Sequence, residues 1–394
     1  MKSNYKRLGD YIQIVDIRNK KCIKENLLGV SVSKSFITSI ANTVGTDFTK
    51  YKIVKKNQFT YIPDTSRRGE KIGIALLENF KEALVSQAYT VFEITKKEKL
   101  LPEYLMMWFR RTEFDRYARY KSYGSVREVF DWDEMCNMLM PIPHPNKQKE
   151  IVDEYNVIQN RIKLNETLIQ KLEETAQAIY KSWFVEFEFP NEEGKPYKSS
   201  GGEMVWCEEL EKDIPKGWKM DELSNIAENF DSKRKPLSAS ERINRAKLYP
   251  YYGAASLMDY IDDYIFDGTY ILLGEDGTVV TDLGTPVLQY VWGKFWVNNH
   301  AHVLKGKNGF NENSLYVLLK NTNITDIITG GVQAKINQTN LNSIPILYPS
   351  KNILFKYNKV LKHVFDSFIN KNDENKVLVK LLDLLLSKLA TIEN

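Results

Sequence analysis

The sequence predicts an α+β protein made of two similar mixed α/β units, each followed by a long helix. Three observations lead to this prediction. Motifs of the first half recur in the same order in the second half, two stretches show sustained heptad spacing, and short β-branched and aromatic runs fill the segments between them. At 394 residues the chain is long enough for two or three domains, each with a buried core.

The internal repeat is the strongest signal. Four motifs correspond in collinear order: residues 8–12 with 223–227, 88–92 with 301–304, 123–126 with 329–332, and 140–145 with 344–349. The offset falls in one direction, from 215 residues (223 − 8) to 204 (345 − 141). Small deletions between two copies of a domain produce such a drift, whereas chance matches would scatter. We therefore predict a pseudo-twofold internal repeat.

Each copy is followed by a helix whose apolar residues alternate steps of four and three. The first seam runs from residue 151 to 179 with Asn165 as its polar position, and the second runs from 357 to 389 with Lys371 and Asn375 as polar positions. A 3.5-residue repeat is typical of a coiled coil, in which buried polar residues fix register and partner choice. Two amphipathic helices of one globular core are the alternative. The coiled coil is favoured because each seam exceeds four heptads.

These patterns give boundaries along the chain. The expected regions are a first globular unit (1–145), a first long helix (146–189), a linker rich in Glu, Gly, Ser, Lys and Pro (190–216), a second globular unit (217–349) and a second long helix (350–394). Strands are expected within 83–94, 268–273, 286–291 and 294–297. Shorter helices are expected at 101–120 and 312–319, the first with Pro102 in its favoured early position.

Composition places the chain among globular proteins. Hydrophobic residues make up 43% and charged residues 27%, and no apolar run approaches 18 residues. The first ten residues lack the apolar stretch of a secretory signal, so a cytoplasmic location is expected. The cysteines (Cys22, Cys136 and Cys207) are odd in number and far apart, which disfavours both a disulfide framework and a C-x-x-C metal site.

The net charge of +4 is unevenly distributed. Residues 1–140 carry 25 Lys and Arg against 17 Asp and Glu, whereas residues 141–215 carry 9 against 15, and residues 216–394 carry 21 against 19. The basic surplus of the first block is compatible with a polyanionic partner, because Lys and Arg that neutralise phosphates dominate nucleic-acid affinity. A soluble basic domain without such a partner is the alternative.

The motifs of common enzyme classes are missing from the sequence. There is no P-loop, Gly274 and Gly277 form only a G-x-x-G, and neither H-E-x-x-H nor G-x-S-x-G occurs. His300 and His302 could place two imidazoles on one face of a strand for a metal. Ala301 between them corresponds to Ala88, which is flanked by Gln87 and Tyr89, so we interpret the pair as local variation. No catalytic or metal site is expected.

Binding chemistry remains, and the polar inventory suits nucleic acid. Arg and Lys can hydrogen-bond guanine, Gln can pair with adenine, and glycine-rich loops let the backbone approach phosphates. The candidate contact residues lie mainly in basic or glycine-rich loops: Arg67, Arg68, Lys71, Arg116, Arg119, Lys121, Ser125, Arg127, Lys233, Arg234, Lys235, Gly277, Thr278, Gln333 and Lys335. For any one of them, an ordinary exposed side chain is the alternative.

Three further motifs resemble those of a known family. They are Lys-Ser-Trp-Phe-Val-Glu-Phe at 181–187, Ile-Pro-Lys-Gly-Trp at 214–218, and Gly-Gly-Val-Gln-Ala-Lys-Ile-Asn at 330–337 followed by Ile-Pro-Ile. With the two globular units and two long helices, the whole chain resembles the specificity (S) subunit of type I restriction-modification systems. The first copy departs from the pattern, because Ser-Val-Arg-Glu-Val-Phe at 125–130 stands where the second has 331–336.

The resemblance implies a non-catalytic protein with two target-recognition domains separated by two long helices that form an antiparallel coiled coil. Each domain would recognise half of a bipartite site in double-stranded DNA. Two methyltransferase (M) subunits would bring S-adenosylmethionine, and restriction (R) subunits would add ATP- and Mg-dependent chemistry, with no cofactor in this chain. A system that only methylates DNA remains open.

Two other classes of protein compete with this interpretation. A coiled-coil adaptor that binds only proteins would explain the heptads and the repeat, but it would not require the basic surplus in residues 1–140. A stand-alone methyltransferase would need a glycine-rich cofactor loop and an N/D-P-P-Y/F tetrapeptide, and the sequence contains neither.

Overall fold

The computed structural model describes residues 5–22, 24–40, 45–64, 71–122, 128–330 and 333–392. The chain divides into two compact units, the first unit (residues 1–165 with 373–394) and the second unit (166–372). Each unit contains one globular copy and part of each long helix. The expected boundaries treat each helix as a separate region, whereas the compact units divide both helices because helix residues belong to the globular cores.

The secondary structure is mixed in both units. The helices of the described residues are α1 (Pro102–Arg110), α2 (Thr112–Ser122), α3 (Trp132–Asn137), α4 (Pro145–Tyr180), α5 (Leu223–Ile226), α6 (Ala239–Ile243), α7 (Glu312–Lys320), α8 (Gln338–Asn342) and α9 (Lys351–Lys388). The strands are β1 (Tyr5–Arg7), β2 (Ile12–Val15), β3 (Leu28–Val30), β4 (Phe36–Thr38), β5 (Lys52–Lys55), β6 (Phe59–Tyr61), β7 (Ile74–Leu76), β8 (Glu82–Val85), β9 (Thr90–Ile94), β10 (Leu139–Pro141), β11 (Met204–Cys207), β12 (Lys212–Pro215), β13 (Lys219–Glu222), β14 (Ala227–Asn229), β15 (Tyr249–Tyr252), β16 (Leu257–Ile261), β17 (Phe266–Asp267), β18 (Tyr270–Gly274), β19 (Leu288–Val291), β20 (Lys294–Val297), β21 (Ala301–Gly306) and β22 (Pro345–Tyr348). Every stretch predicted as a strand contains at least one of these.

The central sheets of the two units have the same topology. The first unit orders its strands β2-β9-β6-β7, and the second orders them β14-β21-β18-β19, all antiparallel. The register also agrees, because Phe59 pairs with Phe92 and Ile271 pairs with Leu304, an offset of 212 residues at both positions (271 − 59 and 304 − 92). The predicted internal repeat is therefore confirmed.

A second set of strands repeats as well. In the first unit β5 pairs with β8 and β3 with β4, while Leu27 and Leu84 form a parallel bridge. In the second unit β17 pairs with β20 and β15 with β16, while Tyr251 and Trp296 pair in parallel. The two copies thus share their strands throughout, and sequence differences are confined to connections and exposed faces.

A two-stranded pair closes each copy and corrects the sequence alignment there. In the first unit the Leu8 amide donates to the Met138 carbonyl (2.9 Å), and in the second the Leu223 amide donates to the Ile344 carbonyl (2.9 Å). Met138 therefore corresponds to Ile344, an offset of 206 residues (344 − 138). The offset of 204 from matching Pro141 with Pro345 is wrong by two residues, because the shared Ile-Pro or Met-Pro letters fall at different positions of the strand.

The core of each copy lies between the central sheet and a nine-residue helix, α1 or α7. In the first unit Phe59 and Phe92 stack with ring centroids 4.9 Å apart, and Phe109 of α1 meets Phe59 edge-on at 5.8 Å. The helix expected at 101–120 is divided into α1 and α2, because Arg111 adopts an extended conformation with its guanidinium 4.2 Å from the Trp108 ring.

The two long helices pack together as predicted. In the first unit Val152 and Ile158 of α4 share a core with Leu382 and Leu389 of α9. In the second unit Ala176 and later α4 residues share a core with the beginning of α9. The start of one helix thus meets the end of the other, which makes the pair antiparallel, and every predicted seam position is buried or half-buried. Among the described residues, no helix is both long and apolar enough to cross a membrane.

A polar layer interrupts the apolar seam within the first unit. Buried Asn165 donates from Nδ2 to Oδ1 of Asn375 (2.9 Å). Beside it Arg161 donates to both carboxylate oxygens of Glu374 (2.6 and 3.2 Å). Two of the polar interruptions found in the sequence therefore face each other. Such a pair favours one register of the helices, because any shift would place an amide against an apolar side chain.

The predicted linker at 190–216 is more ordered than its composition indicates. Strands β11 and β12 form an antiparallel hairpin, and Cys207 and Ile214 are buried in the core of the second unit. Phe189, just before this segment, stacks on Trp218 with ring centroids 5.3 Å apart. Apolar residues spaced among the Glu, Gly and Lys residues therefore fix the connection to the second copy.

We predict that Leu382→Asp lowers the free energy of unfolding by about 3 kcal/mol or more, because it places an unpaired charge in the seam. Leu382 is 6% exposed, whereas Leu384 on the same helix is 53% exposed. Leu384→Asp is the matched control and should change stability by no more than about 0.5 kcal/mol. Urea denaturation measures both variants, and equal destabilisation would contradict the seam.

Candidate nucleic-acid interface

Loops of the second unit converge at the end of the central sheet where β18 stops and β21 starts. The Glu275 amide donates to the His300 carbonyl (2.8 Å), the Ile336 amide to the Glu275 carbonyl (2.8 Å), and the Gly277 amide to the Ala334 carbonyl (3.0 Å). These backbone bonds bring together predicted contact residues that are distant in sequence: Gly277, Thr278, Gln333 and Lys335. All four are exposed.

A tight loop presents Gln333 and Lys335. Thr329 and Lys335 exchange two backbone hydrogen bonds (2.8 and 2.7 Å). Gly330 has a φ of +95°, and a Cβ at this position would lie 2.1 Å from the Gln333 carbonyl oxygen. Only glycine fits both the conformation and the close approach. The glycine-rich motif found in the sequence is thus explained by loop geometry.

Arg234 lies inside this loop cluster. It donates from Nη1 to Oε2 of Glu275 (2.6 Å) and to the Ala301 carbonyl (2.7 Å), and its Nη2 lies 3.5 Å from Oδ2 of Asp231. Its side chain is only 13% exposed. The guanidinium therefore links three loops of the protein, and the DNA contact predicted from the basic run stays a prediction for this residue.

The two histidines of the H-x-H pair have separate partners. Nδ1 of His300 lies 2.7 Å from Oδ1 of Asp276. Nδ1 of His302 lies 2.5 Å from Oδ2 of Asp231, and its Nε2 lies 2.8 Å from the Ile336 carbonyl oxygen. The two rings therefore do not share a ligand position, which agrees with interpreting the pair as something other than a two-histidine metal site.

Asp231, Glu275 and His302 nevertheless form a cluster whose ligand atoms lie within 4.8 Å of one another. Arg234 supplies the positive charge that pairs with both carboxylates, so we interpret the cluster as an ion-pair network. Burial by itself raises the pKa of Asp231, but the hydrogen bond and charge of His302, together with the amide of Val303 (2.8 Å), outweigh burial and hold that pKa below its ordinary value.

Lys233 and Lys235 on either side of Arg234 expose their side chains. Nζ of Lys233 lies 5.0 Å from the Phe230 ring centroid, and the Lys235 carbonyl accepts a hydrogen bond from Nε1 of Trp296 (2.6 Å). Nζ of half-exposed Lys335 lies 3.4 Å from Oε1 of Glu275. The backbone around these lysines is fixed, while their ammonium groups face solvent at the loop cluster.

In the first unit the predicted contacts cluster on helix α2. Arg116, Arg119 and Lys121 are exposed on it, with surface ion pairs from Arg116 to Glu113 (3.3 Å) and from Lys121 to Glu134 (3.0 Å). Among the described residues of the second unit, no helix corresponds to α2. The first copy therefore presents its cations on a helix that the second copy lacks.

Other predicted contacts of the first unit lie outside the described residues, namely Arg67, Arg68, Ser125 and Arg127, and they stay predictions. Lys71, next to them, is exposed. Asp64 and Val129 form an antiparallel bridge, and the Phe130 amide donates to the Pro63 carbonyl (2.9 Å). This bond corresponds to the one from Ile336 to Glu275, so the same end of the sheet carries the candidate loops in both units.

The sequence gave no signal for a buried ion pair that supports this end of the first unit. Nζ of Lys34 lies 2.8 Å from Oδ1 of Asp115, and both side chains are almost fully buried. Asp115 also accepts from the Ile72 amide (3.1 Å), and Lys34 also donates to the Phe109 carbonyl. Burial lowers the pKa of Lys34 despite its partner. A lysine in a serine-rich turn is ordinarily exposed, which is why sequence reasoning missed it.

Fold and site together define a class of protein in which a duplicated mixed domain carries polar loops at one sheet end and packs on two antiparallel helices. Residues 2–174 and 215–380 each match the family described as the type I restriction modification DNA specificity domain. These matches cover most of the chain and coincide with its two copies. The chain belongs to this family.

Relatives agree with this assignment. The chain is 26% identical over 322 residues to the type I restriction enzyme MjaIX specificity subunit of Methanocaldococcus jannaschii, covering 75% of this chain and 70% of that protein. It is 23% identical to the HindI specificity subunit of Haemophilus influenzae, with 87% of each chain covered. A putative specificity subunit of the same organism, S.HindORF215P, is 37% identical over 145 residues, which span 36% of each chain.

The fold is also similar to a solved structure, the crystal structure of a type I restriction-modification S subunit from M. genitalium. The TM-score is 0.55, and the alignment covers 99% of this chain and 96% of that chain. Sequence identity is 16%, so this likeness concerns the fold alone.

We predict that Arg234→Met destabilises the second unit by about 3 kcal/mol, because it leaves the carboxylates of Asp231 and Glu275 buried without their cation. Lys233→Met makes the same chemical change one residue earlier, at an exposed side chain, and should alter stability by no more than about 0.5 kcal/mol. Thermal and urea unfolding distinguish the two variants. A stable Arg234→Met protein would show that the guanidinium does not hold the loops together.

Proposed function

We propose that this chain is the sequence-specific DNA-binding specificity subunit that recognises a bipartite target and directs type I methyltransferase and restriction subunits to it. The observation that best supports this is the duplication of a whole domain, strand for strand, with different polar loops at the same sheet end of each copy. One scaffold with two different loop sets suits recognition of two different half-sites.

The chemistry of the loops is suitable for DNA. In the second unit the amide of Gln333 can pair with adenine, and the ammonium of Lys335 can donate to guanine O6 and N7. Lys233 and Lys235 can neutralise phosphates, which position the protein without reading sequence. In the first unit the cations of α2 provide the equivalent chemistry, together with the predicted contacts at 67–71 and 125–127.

Catalysis is assigned to partner subunits. We propose that two methyltransferase subunits bring S-adenosylmethionine, and that restriction subunits, where present, bring ATP and Mg. The relatives are named specificity subunits, and the sequence lacks the cofactor loop and catalytic tetrapeptide of a DNA methyltransferase. In this proposal the chain itself binds DNA and partner proteins and catalyses no reaction.

We predict that the isolated chain transfers no methyl groups from S-adenosylmethionine to DNA, whereas a complex with its methyltransferase subunits does. Incorporation of labelled methyl groups measures this directly. Mapping the methylated adenines made by the complex then defines the motif. Robust transfer by the chain alone would refute the assignment of catalysis to partners, and methylation without a defined motif would refute the specificity function.

We predict that Lys335→Ala changes or abolishes recognition in one half of the methylated motif and leaves the other half intact. Each good base contact is worth roughly 1 to 3 kcal/mol of discrimination and acts locally. Lys307→Ala is the matched control, because Lys307 is an exposed lysine just after the opposite end of β21. Arg116→Ala should affect only the other half of the motif. A Lys335 variant that rewrites both halves would contradict independent recognition.

A further inference from the structure

We propose that His302 is a positioning residue for target recognition by the second unit, and that its doubly protonated ring makes recognition of that half-site weaken as pH rises. The consequence for DNA rests on the proposed function. The ring links Asp231 to Ile336, and Ile336 directly follows Lys335, a predicted base contact. The ring is 1% exposed, so it supports the loop from within and does not contact DNA.

Both ring nitrogens of His302 face hydrogen-bond acceptors. The Ile336 carbonyl oxygen can only accept, and it lies 2.8 Å from Nε2. Oδ2 of Asp231 lies 2.5 Å from Nδ1, and the other oxygen of that carboxylate accepts from the Val303 amide (2.8 Å). Only the imidazolium form of histidine donates from both nitrogens at once. The geometry therefore fits a charged ring.

Loss of either proton would break one of these links. If Nε2 loses its proton, its lone pair faces the Ile336 carbonyl oxygen, and if Nδ1 loses its proton, its lone pair faces the carboxylate of Asp231. Because the ring is buried, water cannot replace the missing donor, and an unsatisfied buried acceptor is costly. The ring can then hold Asp231 or Ile336, but not both.

The charged groups around the ring come from every loop stretch packed against it. Asp231 and Glu275 supply the negative charges, with Oε2 of Glu275 at 3.9 Å from Nδ1 of His302. Arg234 pairs with both carboxylates, and Lys335 pairs with Glu275. Deprotonation of His302 would thus remove one positive charge from a network that includes the predicted contact Lys335.

The first unit anchors the equivalent carbonyl in a different way. Phe130 corresponds to Ile336, because its amide makes the equivalent backbone bond, and its carbonyl oxygen lies 3.4 Å from the Tyr61 hydroxyl. Burial raises the pKa of Tyr61 far above its ordinary value, so that hydroxyl stays neutral. Thr90 occupies the strand position equivalent to His302. Recognition by the first unit therefore lacks a titrating link at this point.

The DNA experiment uses the complete complex of the chain with its methyltransferase subunits. Competition binding compares the full motif with duplexes in which one half-site is altered, between about pH 6 and 8.5. For the wild type, discrimination at the half-site of the second unit should fall about tenfold or more as pH rises, and discrimination at the other half should stay constant. His302→Gln should discriminate weakly and equally at all pH values.

Tyr61→Phe is the matched control in the first unit. It removes the corresponding hydroxyl, so any loss of discrimination should affect only the other half-site and should not depend on pH. A His302→Gln complex with the pH profile of the wild type would overturn the proposal, and so would a pH dependence shared by both half-sites.

A second measurement on the free, full-length chain needs no DNA. Spectra of the ¹⁵N-labelled histidine rings report the protons on each nitrogen, and the chain has only four histidines. Replacing the exposed His144, His300 and His363 one at a time assigns the fourth ring. Below pH 7 it should carry both protons, and a singly protonated ring would overturn the proposal. Absence of motif-specific methylation by the wild-type complex would instead contradict the proposed function.

Discussion

The apolar seam between α4 and α9 is the interaction on which the rest of the structure depends. The first unit takes the end of α9, which the chain reaches only after passing through the whole second copy. Each core therefore contains helix residues contributed from both halves of the sequence. Neither compact unit is a continuous piece of chain together with all of its packing partners, so the seam couples the folding of both copies.

Within this frame, the same scaffold supports two different surfaces. Strand order and register are kept between the copies, while the supports beneath the loops differ. A buried lysine and aspartate hold the first unit near Ile72, and the cluster around Arg234 holds the second. Because the supports lie beneath the exposed residues, the exposed loops can change without disturbing the sheet. This separation of scaffold from surface suits a protein whose relatives differ in specificity.

Local patterns explain which features could be predicted from the sequence. Heptad spacing identified the helix seam, because a buried stripe imposes its period directly on the residues. The repeat gave the domain duplication, yet the proline match near Pro345 was displaced by two residues, since hydrogen-bond register is not visible in letters. Arg234 looked like an exposed residue of a basic run. Its internal partners Asp231 and Glu275 lie in loops that only the folded sheet brings together.

The polar layer in the seam also constrains how these helices can evolve. In an antiparallel pair, residues added near the middle of α4 would move every later seam residue away from its present partner on α9. A seven-residue insertion would keep the apolar stripe on the correct face, but Asn165 or its neighbours would lose their matched polar partner. Changes in helix length should therefore occur in both helices together, as paired insertions or deletions on opposite sides of the amide pair.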